Sequence, residues 1–274
     1  MLRLRSARRL AWAVALAAIA CGPSFKLSNY PTHQALWSAA MREYQARRWD
    51  HAVTAFERLT LDLPAADTLL PRAHFHLGKA YAGRGEHLLA AQSFSRVAQE
   101  FPADALADDA ILEAARSYQR LWRKPSLDAQ YGETAIATYR SLVAAYPESP
   151  LASEANAGIR RLEEWFAKKD YENGLHYFRR KGYDSAIIYF KDVVEKYPET
   201  ATSRAAQLRL VEAYRAIRYR DDATDVCNAL RAKYAGDREV REVCGAAPPA
   251  QVAPASAGTR PDSTARDTTA APAA

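Results

Sequence analysis

The feature that most constrains this chain is a spacing. An aromatic residue is followed eight positions later by proline four times: Phe56 and Pro64, Phe94 and Pro102, Tyr139 and Pro147, Phe190 and Pro198. Alanine stands four residues before each aromatic, at Ala52, Ala90, Ala135 and Ala186. That interval places the small residue and the ring on one helix face, and proline then stops the helix. The pattern predicts a series of helices packed through one seam.

The second copy extends backwards through Gly78, Tyr81 and Gly85 and so resembles the full tetratricopeptide pattern, two antiparallel helices per repeat. Gly174, Tyr177, Ala186, Phe190 and Pro198 repeat it in register. Ala40, Tyr44, Trp49, Ala52 and Phe56 form a degenerate first copy, and Tyr214, Ala223 and Cys227 a fifth without the proline. Terminal repeats commonly depart from the pattern. The expected fold is all-α, a tetratricopeptide-type superhelical solenoid of about five helix-turn-helix repeats over residues 33–245. Successive alanines are 38, 45, 51 and 37 residues apart, where a plain array repeats every ~34. Residues 121–128 lengthen the turn of the third repeat, and a first helix running from about Leu151 to Arg180 lengthens the fourth.

The ends have other compositions. Arg3, Arg5, Arg8 and Arg9 precede an uncharged apolar run at residues 10–20, which reads as a signal peptide over residues 1–20. Setting those four aside leaves 34 basic against 32 acidic residues, which removes the main support for a nucleic-acid partner. Ala18, Ile19, Ala20, Cys21 and Gly22 resemble a lipobox in which Cys21 carries the lipid. Ala18 departs from the usual leucine, and the alternative is an ordinary cleavage site with a free thiol. Residues 21–32 read as a polar tether, and residues 246–274, rich in Ala, Pro, Thr and Ser, as a disordered tail. Cys227 and Cys244 fit a periplasmic disulfide and fit equally a small core residue beside a fraying one.

The order and spacing of these features resemble one family. A signal segment with a lipobox, five repeats, Tyr-Gln-Arg-Leu at 118–121 before the long turn, the long fourth-repeat helix, and Tyr-Pro-Glu-Thr-Ala-Thr-Ser-Arg at 197–204 are together similar to BamD, also called YfiO or ComL. The resemblance covers roughly residues 30–235. It implies a lipoprotein of the cell outer membrane, held in the inner leaflet and facing the periplasm. It also implies amino-terminal repeats that receive unfolded outer membrane protein precursors and later repeats that dock a BamA-like barrel subunit, with Arg204 as a contact. Lys124, Pro125 and Ser126 depart from the family's acidic turn. A scaffold lipoprotein for pilus assembly or cell division is the alternative.

At helix spacing, the inward positions of the first three repeats are Trp37, Met41 and Tyr44, then Arg72, Phe75 and Lys79, then Leu112, Arg116 and Arg120. Aromatics beside cations suit an extended peptide ending in an aromatic residue and a carboxylate. The same residues also fit an inter-repeat core under a solvated charged face. No catalytic or cofactor motif is present, and His74 and His76 flank Phe75 on different helix faces, which suits no shared metal.

Overall fold

A computed structural model describes residues 25–245. Among them are eleven α-helices, each packed against the next in chain order. They are α1 (His33–Gln45), α2 (Trp49–Asp62), α3 (Leu69–Arg84), α4 (His87–Glu100), α5 (Ala107–Leu121), α6 (Gln130–Ala145), α7 (Ala152–Arg179), α8 (Tyr183–Lys196), α9 (Ala201–Ala216), α10 (Arg220–Lys233) and α11 (Arg238–Cys244). The first ten form five helix-turn-helix pairs, and α11 closes the last. The signal segment, Cys21 and the tail beyond Gly245 lie outside the described residues.

The proline rule acts as its chemistry requires. A proline ring disfavours helical backbone in the residue before it. Leu63, Phe101, Tyr146 and Tyr197, each preceding a pattern proline, have ψ of 135°, 58°, 64° and 53°, and α2, α4, α6 and α8 end there. The carbonyls of the turn prolines are used. Tyr146 Oη donates to the Pro102 carbonyl at 2.8 Å, and Lys233 Nζ to that of Pro198 at 3.2 Å, tying successive turns together.

The pattern aromatics are buried, and three of them lie against glycine. A Cβ on Gly78 would stand 2.8 Å from the Phe94 ring, on Gly158 2.6 Å from Tyr139, and on Gly174 2.5 Å from Phe190. Only a glycine lets the helix backbone approach a ring this closely. Two of the three glycines are on α7. Its amino-terminal half supplies Ala155, Ile159, Leu162 and Phe166 to the middle core, and its carboxy-terminal half supplies Ala167 to the last core. The 28-residue helix therefore serves two repeats at once.

The turns between paired helices require left-handed backbone. Arg47, Gly85, Lys181 and Arg218 have φ of 55°, 87°, 62° and 67°. Only the second repeat meets this with glycine. The third replaces the tight turn by the long segment anticipated from sequence, and Trp122 at its start is 1% exposed.

Two features fix the ends. Phe25 stacks on Tyr30 and His51 at 5.3 and 5.4 Å, and Leu27 and Tyr30 also pack on the first core. Cys244 does not fray, because Cys227 and Cys244 form a disulfide that pins α11 to α10.

Two stability measurements follow. Replacing Lys181 by glycine relieves roughly 1–2 kcal/mol of left-handed strain and costs roughly 0.5–1 kcal/mol in chain entropy. Chemical denaturation should therefore show a gain of about 0.5–1 kcal/mol, and a loss would mean that the lysine side chain holds the turn. The double variant C227S/C244S releases a short loop and should lower stability by about 2–4 kcal/mol, with α11 exchanging amide hydrogens first.

Candidate functional site

The first helices of the repeats meet one another along one wall. Arg72 of α3 lies over the Trp37 ring of α1 at 5.1 Å, Lys79 of α3 lies 3.8 Å from Glu113 of α5, and Arg116 of α5 pairs with Glu154 of α7. In a helical-repeat solenoid the first helices form the concave surface. Most of the residues singled out at helix spacing thus belong to one continuous face.

Burial divides them into two layers. Trp37 and Phe75 are each 8% exposed and pack in the first core against Phe56 and Phe94, at 5.6 and 5.4 Å between ring centres. They form the floor of the face, which is the inter-repeat core that the sequence equally allowed. Tyr44 is half-buried, edge-on to Trp49 and His76. The cations form the upper layer. Lys79 sits over the Phe75 ring at 5.2 Å as Arg72 sits over Trp37, so ring faces hold both charges in place. Arg120 is exposed at the end of α5.

His76 sits at the centre of this floor. Its ring stacks on Phe56 at 5.7 Å and meets Trp37, Tyr44 and Phe75 edge-on. Burial pushes its pKa down to about 4, and Arg72 and Lys79 act in the same direction, so it is neutral at neutral pH. His74 is buried on another side of α3, and burial lowers its pKa also. Among the described residues no three His, Cys, Asp or Glu side chains are grouped to hold a metal ion, and no helix is long and apolar enough to cross a membrane.

Two carboxylates on this wall were not anticipated. Glu113 accepts from Arg116 Nη1 at 2.8 Å and lies near Lys79, while Glu154 takes the other Arg116 nitrogen. Glu113 is legible in principle, because a carboxylate three residues before an arginine shares its helix face. Glu154 comes from the next repeat, and no local spacing shows it.

Arg204 is the clearest departure. It donates from Nε and Nη2 to the two carboxylate oxygens of Asp237 at 3.0 and 2.7 Å, and from Nη2 to Glu239 at 3.0 Å. The arginine that the resemblance marks as a partner contact thus has two acidic partners within the chain. The arginine holds the Asp237 carboxyl below the usual range, and the same carboxylate caps α11 through the amides of Glu239 and Val240 at 2.9 and 3.1 Å. Arg204 thus anchors one end of α11 and the disulfide anchors the other.

Comparisons with known proteins place the chain. The sequence pattern of the YfiO family, described as an outer membrane lipoprotein, matches residues 30–230. A relative from Caulobacter vibrioides named outer membrane protein assembly factor BamD is 26% identical over 203 residues, 74% of this chain and 66% of that protein. One of the same name from Vibrio cholerae is 29% identical over 87 residues, 32% of this chain and 36% of that protein. The chain thus spans just under two thirds of the first relative and little more than a third of the second. Among solved structures, the P58(IPK) TPR domain aligns with 77% of this chain and 54% of its own at 12% identity, with a TM-score of 0.41. With the family pattern covering nearly all of the solenoid, this chain belongs to the YfiO family of outer membrane lipoproteins.

Proposed function

We propose that this protein is an assembly factor for outer membrane proteins, anchored in the inner leaflet of the outer membrane through a lipid on Cys21 and facing the periplasm. Its concave wall holds extended segments of unfolded barrel precursors, and its later repeats dock a BamA-like barrel subunit. Relatives named as assembly factors support this reading. The observation that carries it is the wall itself, where Arg72 and Lys79 are held over the rings of Trp37 and Phe75 and face outward beside half-buried Tyr44.

A peptide lying on such a wall buries apolar side chains between the cation stems, and its carboxylate competes with Glu113 for Lys79 and Arg116. Preformed cations lose little freedom on binding, so more of the interaction energy is kept. With Arg204 engaged by Asp237, its role in this reading is to fix the shape of the last repeat rather than to touch a partner directly.

The test is a titration of the R72Q/K79Q/R116Q variant with a barrel carboxy-terminal peptide that ends in an aromatic residue and a free carboxylate. Loss of three partly exposed charges should weaken binding about tenfold. Unchanged affinity in a folded variant would contradict the wall as the client site.

A further inference from the structure

Four arginines converge on a cavity of about 600 Å³ bordered by α5, the long turn after it, and α7. They are Arg116, Arg120, Arg123 and Arg161, and Trp122 and Trp165 border the same space. Arg116 is neutralised by Glu113 and Glu154. Arg120, Arg123 and Arg161 are exposed, and among the described residues none of the three has a carboxylate within ion-pair distance. Their field reaches His87, whose protonation is opposed first by burial and then by Arg120 and Arg123. On the neighbouring part of the wall, Lys79 has the Glu113 carboxylate at 3.8 Å.

The lining narrows what fits. Trp122 is 1% exposed, its indole N–H has no acceptor, and its ring lies 4.4 Å from Phe166 and 5.6 Å from Trp165 between ring centres. Tyr139 also borders the space, anchored by its hydroxyl to Gln119 at 2.9 Å. One carboxylate neutralises one of the three free guanidiniums, so the charge calls for a ligand with several anionic groups. Trp122 and Tyr139 are buried behind the space, and half-buried Trp165 offers the ring surface, which calls for an apolar side chain that a bare phosphate lacks. The chain's own segment beyond Gly245 has two aspartates against two arginines and so brings no acidic excess.

We propose that this cavity receives an acidic, extended segment of a partner polypeptide. Two or more of its side-chain carboxylates bind Arg120, Arg123 and Arg161, and an aromatic side chain of the segment packs against half-buried Trp165. The site adjoins the wall assigned to clients and shares only Arg120 and the paired Arg116 with it. The R72Q/K79Q variant, which leaves both shared arginines intact, separates the two readings.

Fluorescence anisotropy of a labelled twelve-residue peptide with three glutamates and one phenylalanine, against its glutamine counterpart, tests this on the full chain. The wild type should prefer the acidic peptide by about tenfold or more, as three such pairs supply. The R120Q/R123Q/R161Q variant should lose that preference, while R72Q/K79Q keeps it. All three arginines are exposed, so the thermal midpoint should not move. Equal affinity for the two peptides, or an equal loss in the charge-matched variant K168Q/R179Q/K191Q, would overturn the proposal. So would stronger displacement by phosphatidylglycerol vesicles or a single-stranded oligonucleotide than by unlabelled acidic peptide.

Discussion

A ring resting on a glycine sets how closely the helices of this protein approach, and the rest of the architecture depends on that distance. Phe94 on Gly78 joins the helices within the second repeat, and Phe190 on Gly174 does the same in the fourth. Tyr139 on Gly158 instead joins the third repeat to the fourth. Because Gly158 and Gly174 are on one uninterrupted helix, the middle and last cores are fixed relative to each other without a hinge between them. Side chains carried by such a helix keep their positions, which any binding face of several repeats requires.

The same rigidity explains why charges on the wall come in crossed pairs. Arg116 reaches back to Glu113 on its own helix and forward to Glu154 on the next. Arg204 crosses from α9 to Asp237 at the start of α11. Each pair is modest as a source of stability, because the groups are partly exposed. Their effect is positional: they neutralise some cations of the face, and Arg120, Arg123 and Arg161 stay open beside Trp122. The charge pattern of the face is therefore a product of tertiary packing more than of composition.

This division marks what the sequence could disclose. Ring, alanine and proline recur at fixed local spacing, so helix ends, pairing and the length of α7 were legible; its expected span of 151–180 compares with Ala152–Arg179. The burial of Trp37 and Phe75 was not legible, because one helix face carries both floor and surface positions and only the neighbouring repeat separates them. Nor was the engagement of Arg204, whose partner Asp237 lies 33 residues away, capping a short helix with no repeat signature. Trp122 looked like part of a lengthened turn. Its burial against Phe166 arises only once α7 lies across that turn.

The most direct test of the central claim is the unfolding free energy of G158A and of G174A. Alanine is the better helix former by about 1 kcal/mol, so an ordinary exposed helical glycine would gain stability from this change. Here the new methyl meets a buried ring that has no room to retreat, and overpacking costs about 1–3 kcal/mol. Both variants should be less stable than the wild type. Equal or greater stability in either one would contradict the account, because α7 would then not be held to its two repeats through those contacts.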